Sequence, residues 1–94
     1  MKPDLSFCPV KRETAAFRVI ENEAVILNLE NGIYYSLNPV GTRLWELFDG
    51  KKSIRDLAQV LTEEYDVDPK TAEQDIIALV EDLLQEGLVA PNEV

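Results

Sequence analysis

The chain has 94 residues, of which 46% are hydrophobic, so it is long enough for one small domain with a modest core. It has no histidine and one cysteine, which removes the commonest general base and metal ligand and excludes an internal disulfide. The net charge of −9 is uneven: from Asp56 onward, eleven acidic residues face one basic residue, Lys70. Such a charge disfavours nucleic acid and anionic lipid surfaces as partners.

No catalytic or metal-binding motif is present at a recognisable spacing. The glycines are isolated, unlike those of a phosphate-binding loop, and no Asp-rich calcium loop occurs. Cys8 precedes a proline and has no histidine to activate it, so we interpret it as inert. We therefore expect no catalytic residue, no metal, no cofactor and no enzymatic activity from this chain alone.

The expected compartment is the cytoplasm. No run of about 18 apolar residues is present, and the first residues lack the apolar core of a signal peptide. A single cysteine is typical of a reducing compartment. We interpret the acidic surface first as a source of solubility and second as an attraction for a basic partner.

Residues 1–16, with two of the five prolines, are expected to form a poorly specified arm. Three short β-branched or aromatic segments then predict strands at 17–20, 24–29 and 33–37. Asn31 and Gly32 predict a tight hairpin between the second and third strands, because both residues tolerate a positive φ. The simplest arrangement is an antiparallel meander. In the second strand, one predicted face carries Val25, Leu27 and Leu29, and the other carries Ala24, Ile26 and Asn28.

Three helices are predicted after the strands, each with a capping signal. Asn38 with Pro39 opens the first, which ends at Asp49-Gly50. Ser53 with Asp56 resembles a capping box for the second, which ends near Tyr65. Asp68 with Pro69 opens the third, which runs to about Glu86 and stops at Gly87. A short extended segment is expected at 88–90.

The apolar face of the third helix is wider than the roughly 100° stripe that one core requires. Its centre is predicted to contain Ala72, Ile76, Leu79 and Leu83, and a shoulder contains Ile77, Val80 and Leu84. Two interpretations remain open: the helix lies between two neighbours, or the shoulder lines a groove for a partner.

These elements predict an α+β, winged-helix-like fold, with an N-terminal three-stranded antiparallel sheet followed by a three-helix bundle. An exposed strand beside an apolar helix shoulder suits capture of a peptide by strand addition. Trp45 is expected in the core, because apolar side chains surround it on its helix. Of Tyr34 and Tyr35, one must face the core, and the sequence leaves open which.

An ordered set of motifs resembles the PqqD-like family, the small peptide-binding proteins of coenzyme PQQ synthesis and their relatives. The resemblance covers about residues 17–90, so the expected division is an arm at 1–16, a peptide-recognition domain at 17–90 and a tail at 91–94. The motifs that carry it are Ala24–Leu29, Gly32–Leu37, Asn38, Gly41, Trp45, Ile54–Leu57, Asp75–Leu84 and Glu86–Leu88.

The resemblance implies a non-catalytic chaperone that binds the leader of a ribosomally made precursor peptide between the third strand and third helix. A radical SAM enzyme, another modifying enzyme or a leader peptidase would then act on the presented peptide. The contacts that it implies are Ile33, Tyr34, Tyr35, Ser36 and Leu37 on the strand and Ile77, Val80, Glu81 and Leu84 on the helix.

Two alternatives belong to other classes. A winged-helix regulatory module is permitted by the topology, although the acidic third helix opposes contact with phosphates. A self-associating structural domain, such as a homodimer, would use the same exposed strand and helix shoulder on a second copy.

Overall fold

The computed structural model describes residues 3–92. The first two residues of the expected arm and the last two of the expected tail lie outside this range. The elements in chain order are β1 (Pro9–Lys11), β2 (Ala15–Ile20), β3 (Glu23–Asn28), β4 (Tyr34–Ser36), α1 (Pro39–Leu47), α2 (Ile54–Glu64), α3 (Pro69–Gln85) and β5 (Val89–Pro91).

The main sheet is the predicted antiparallel meander, in the order β2-β3-β4. Phe17, Ile26 and Tyr35 lie opposite one another across its three strands. The predicted faces of β3 are confirmed, because Ala24, Ile26 and Asn28 are all buried against the helices. With three helices following the sheet, the α+β, winged-helix-like architecture is confirmed.

The two hairpins of this sheet differ in length. Glu21 and Asn22 have φ angles of 51° and 66°, as the two central residues of a tight β2–β3 turn require. The tight hairpin predicted at Asn31-Gly32 is instead a longer loop, residues 29–33. Two side chains stabilise the wider loop. Asn28 Oδ1 accepts a hydrogen bond from the Glu30 N–H at 2.9 Å, and Asn31 Oδ1 accepts one from the Ile33 N–H at 2.9 Å.

The segment expected to be a loosely specified arm contains regular structure. Strand β1 pairs antiparallel with β5, which occupies the predicted extended segment near the C-terminus. The first free N–H groups of α2 also find partners here: Ile54 donates to the Phe7 carbonyl at 2.9 Å and Arg55 to the Leu5 carbonyl at 3.1 Å. Sequence patterns missed this packing because a three-residue strand that begins with proline has no period to detect. The division into arm, domain and tail stays a prediction.

The predicted helix starts are confirmed. Asn38 Oδ1 accepts from the Gly41 N–H at 2.8 Å, and Asp68 accepts from the Thr71 N–H at 3.1 Å. Ser53 and Asp56 form the reciprocal capping box. Helix α3 stops at Gly87, whose φ of 72° is costly for other residues.

The core lies between the main sheet and the three helices. Trp45 is fully buried there, as predicted, and packs edge-to-face against Phe17 and Phe48. Helix α3 contributes Ala72, Ile76, Val80 and Leu83 to the same cluster. Within residues 3–92, no helix is long and apolar enough to cross a membrane.

Candidate functional site

Strand β4 is an outer strand of the main sheet and has one free edge. The Leu37 N–H donates to the Ala24 carbonyl at 2.9 Å, and the Ile33 carbonyl likewise accepts from β3. Because hydrogen-bonded positions alternate along an antiparallel pair, Tyr34 and Ser36 direct their N–H and C=O groups away from β3. The free edge therefore presents two donors and two acceptors in strand geometry, which is what an added strand requires.

A groove of about 510 Å³ lies beside this edge, between β4 and α3. We call it the β4–α3 groove. Apolar side chains and polar groups contribute to its lining in similar measure. Its residues are Tyr35, Ser36, Leu37 and Asn38 from β4 and the turn after it, Val40, Gly41 and Leu44 from α1, and Asp75, Ala78 and Leu79 from α3.

Helix α1 is held against one end of the groove by two close contacts. Thr42 Oγ1 accepts from the buried Ala24 N–H at 2.7 Å and donates to the Leu37 carbonyl at 3.3 Å. At Gly41 a Cβ would lie 3.2 Å from Asn38 Oδ1 and 3.4 Å from Leu37 Cβ. Gly41 thus allows close packing between the first turn of α1 and the end of β4.

Asn28 holds the sheet to the C-terminal end of α3. This side chain is almost fully buried, and its Nδ2 donates to the Glu86 carbonyl at 2.8 Å. The bond satisfies one of the carbonyls that a helix end leaves without an internal partner. The spacing of the sheet and α3 is therefore set by a specific polar contact as well as by apolar packing.

The two neighbouring tyrosines of β4 face opposite sides of the sheet. Tyr35 shares the inner face with Ile26 and packs against the core, whereas Tyr34 is 67% exposed on the outer face. Burial, followed by the negative charges of Asp82 and Glu86, raises the pKa of Tyr35. The Tyr35 hydroxyl is therefore neutral at physiological pH and lies at the acidic edge of α3.

The strand residues that the sequence implied as contacts have different environments. Ile33 and Tyr34 are exposed, as is Ser36, while Tyr35 is half-buried in the groove. Leu37 is buried and contributes to the groove lining from beneath. Tyr34 and Ser36 offer backbone groups to a partner, and Tyr35 offers a side chain.

The helix residues implied as contacts do not line the groove. Val80 has 0% exposure and belongs to the core, so the shoulder interpretation is wrong for this residue. Ile77 and Leu84 are half-buried against the core cluster, and α3 packs against both α2 and β5. This arrangement supports the other interpretation of the wide apolar face, a helix between two neighbours. A role for Ile77, Glu81 or Leu84 in binding stays a prediction.

Helical geometry explains why the groove lies elsewhere. At about 100° per residue, Ile77, Glu81 and Leu84 point roughly opposite to the α3 residues that line the groove. Those residues, Asp75, Ala78 and Leu79, were missed by sequence reasoning. The only signal was local: Ala78 is a small residue on the otherwise acidic edge, and it leaves space beside β4.

The groove edge of α3 is acidic. Asp75, Asp82 and Glu86 follow this edge, and none of them forms an ion pair among residues 3–92. No basic side chain lines the groove. The arrangement opposes contact with nucleic-acid phosphates. Within the described part of the chain, no group of three His, Cys, Asp or Glu side chains could hold a metal ion.

These features define a class of protein: a small winged-helix-like domain with an open strand edge beside a groove. The family model of coenzyme PQQ synthesis protein D (PqqD) matches residues 23–89, more than two thirds of the chain. The chain therefore belongs to the PqqD family. A comparison with curated protein sequences gives no match.

Three solved structures share the fold. TbiB1 in complex with the TbiA(beta) leader peptide is 29% identical, with a TM-score of 0.79 and coverage of 85% of this chain and 93% of that one. Lasso peptide synthetase B1 complexed with the leader peptide is 31% identical, with a TM-score of 0.80 and coverage of 89% and 99%. The third is the PqqD truncation of Methylobacterium extorquens PqqCD, a functional and stand-alone recognition element for ribosomally synthesized and post-translationally modified peptides. It is 27% identical, with a TM-score of 0.79 and 94% coverage of both chains.

Proposed function

We propose that this protein is a non-catalytic chaperone that captures the leader of a ribosomally made precursor peptide. The leader adds to β4 as a further strand, and its alternate side chains enter the β4–α3 groove. The complex then presents the precursor to a modifying enzyme, such as a radical SAM enzyme, or to a leader peptidase.

The observation that carries this proposal is the free edge of β4. The outward N–H and C=O groups of Tyr34 and Ser36 can pair with any extended backbone, while the groove beside them can select its side chains. The match of two leader-peptide complexes to this fold, at TM-scores of 0.79 and 0.80, supports the same assignment.

The proposed contacts on the strand are Ile33 to Leu37, as the family resemblance implied. On α3 we propose Asp75, Ala78 and Leu79, because they line the groove. Ile77, Val80, Glu81 and Leu84 are not included, since one is fully buried and the others lie on the far side of the helix.

The test is an amide NMR titration of the protein with synthetic leader segments from short precursor genes beside its own gene. We expect shifts to concentrate on Tyr34, Ser36, Ala78 and Leu79. A Tyr34→Pro variant removes one outward N–H from an edge position that tolerates proline, and should weaken binding about tenfold or more. The matched Tyr34→Ala variant keeps that N–H and should bind much more tightly than the proline variant.

Two results would contradict the proposal. Equal affinity for Tyr34→Pro and Tyr34→Ala would mean that the backbone edge is not used. Shifts confined to residues 77, 81 and 84 would place the peptide on the other side of α3.

Self-association is the second candidate, because the free edge of β4 can also pair with β4 of another copy. Light scattering across a range of protein concentrations measures the mass directly. A dimer that dissociates when peptide is added would indicate that both partners use the same edge.

A further inference from the structure

We propose that the β4–α3 groove selects leader segments with an apolar side chain and a basic side chain two residues apart, both facing α3. This inference rests on the proposed function, because it requires an extended peptide along β4. It adds the chemical class of the segment that binds.

The groove has two chemically different ends. Leu37 and Asn38, at the end of β4, share it with Asp75 and Leu79. At the start of β4, Ile33 pairs with Asn28, whose side chain donates to the Glu86 carbonyl at the end of α3. Asp82 and Glu86 are near enough to Tyr35 for their charges to raise its pKa. Strand β4 and helix α3 therefore run in opposite directions along the groove. We call the end with Leu79 the apolar end, although Asp75 also borders it, and the end beside Tyr35 the acidic end.

The apolar end offers a surface for one side chain of the peptide. Leu44 and Leu37 are buried beneath it, and Leu79 and Val40 border it with partly exposed surface. Gly41 and Ala78 add little volume, which leaves the space open. An aliphatic or aromatic side chain placed against these apolar residues loses contact with water.

The Asp82 and Glu86 carboxylates of the acidic end form no ion pair in the described part of the chain, although the Arg12 guanidinium lies near Gly87. Tyr35 beside them is neutral. A lysine or arginine of the peptide would supply charge-assisted hydrogen bonds to these carboxylates. An acidic side chain at the same position would add a third negative charge, so the groove discriminates by repulsion as well as by attraction.

The spacing of the two ends fits alternate residues of a strand. Side chains on the same face of a strand are about 6.7 Å apart. Along α3, Asp82 is about 4.5 Å and Glu86 about 10.5 Å beyond Leu79, so the next groove-facing side chain falls between the two carboxylates. A peptide that places its apolar side chain against Leu79 therefore brings the residue two positions away to the acidic end.

The test is an mRNA-display selection of random 12-residue peptides for binding to the wild-type protein. Among enriched peptides we expect Lys and Arg to exceed Asp and Glu at least about fivefold at two residues from an enriched apolar position. The Asp82→Asn/Glu86→Gln double variant should lose this preference. The Glu73→Gln/Glu81→Gln double variant changes the net charge equally on the opposite side of α3, and should keep it.

Each other outcome has a distinct meaning. Peptides that are enriched without a charge preference would overturn the inference and leave peptide capture intact. If both double variants lose the preference for basic residues equally, that preference comes from the net charge of the protein and not from Asp82 and Glu86. This result would also overturn the inference. Failure to enrich any peptide, or undiminished enrichment on Tyr34→Pro, would remove the proposed function itself.

Discussion

The Asn28 side chain joins β3 to the end of α3 by donating from Nδ2 to the Glu86 carbonyl, at 2.8 Å. The same side chain accepts from the Glu30 N–H through Oδ1, at 2.9 Å. One buried amide thus fixes the loop that leads into β4 and the helix that faces β4. Both walls of the β4–α3 groove depend on its position.

Replacement of Asn28 should therefore destabilise the protein and loosen the groove. Asn28→Ala leaves the Glu86 carbonyl without this donor, and we expect a loss of about 1–3 kcal/mol in the free energy of unfolding. Asn28→Asp should cost at least as much, because a carboxylate cannot donate to a carbonyl. Urea denaturation measures both, with Asn31→Ala in the exposed loop as the milder control. Equal stability of the Asn28 and Asn31 variants would contradict this role.

Thr42 gives a test of the contact between α1 and the sheet. Its hydroxyl is buried and accepts from the Ala24 N–H at 2.7 Å. Thr42→Val keeps the shape but leaves that N–H unpaired, so we expect a loss of about 1–3 kcal/mol of stability. Thr42→Ser retains the hydroxyl and should lose less. If the valine variant is the more stable of the two, the hydrogen bond does not hold α1 in place.

The two sides of α3 should separate stability from binding. Val80 is fully buried, so Val80→Ala should lower the free energy of unfolding by about 2 kcal/mol and leave peptide affinity nearly unchanged. Leu79 lines the groove, and Leu79→Ala should weaken peptide binding by about 1–3 kcal/mol with a smaller effect on folding. Thermal denaturation and fluorescence titration measure the two effects. If Val80→Ala weakened peptide binding more than Leu79→Ala did, the binding surface would be the shoulder that contains Val80 and not the β4–α3 groove.

Asp49 should titrate at an unusually low pH. Hydrogen bonds from the Lys51 backbone N–H and then from the Lys52 side chain lower the pKa of this carboxyl from 3.8 to about 2. Because the pKa is lower in the folded state, the stability from Asp49 is present above about pH 4 and is lost as the pH falls through about 2. Carboxyl NMR measures it directly.

Two lysine variants separate the causes of that shift. Lys52→Gln should raise the pKa of Asp49 but leave it below 3.8, because the Lys51 backbone bond remains. Lys51→Gln keeps its backbone N–H and should change the pKa of Asp49 little. An ordinary pKa of Asp49 in the wild-type protein would show that these bonds do not form in solution.

Local signals in the sequence were sufficient for most of the fold. Caps at Asn38, Ser53 and Asp68 depend on a few neighbouring residues, so their positions could be read directly and are confirmed. The inward face of β3 was predicted from the strict alternation of its residues. The burial of Trp45 was predicted from its apolar neighbours on α1. Strand β1 could not be predicted in this way, because the strand with which it pairs, β5, is about 80 residues away.

The sequence by itself determined the order of the main-sheet strands and the helices, the starts of the helices and the acidic charge. The tertiary structure decided the position of the groove and the residues that line it. An apolar periodicity identifies the buried side of α3 but does not say which flank lies beside β4. That choice depends on the packing of α3 against α2 and β5 and on the bond from Asn28 to Glu86, which involve residues distant in the chain.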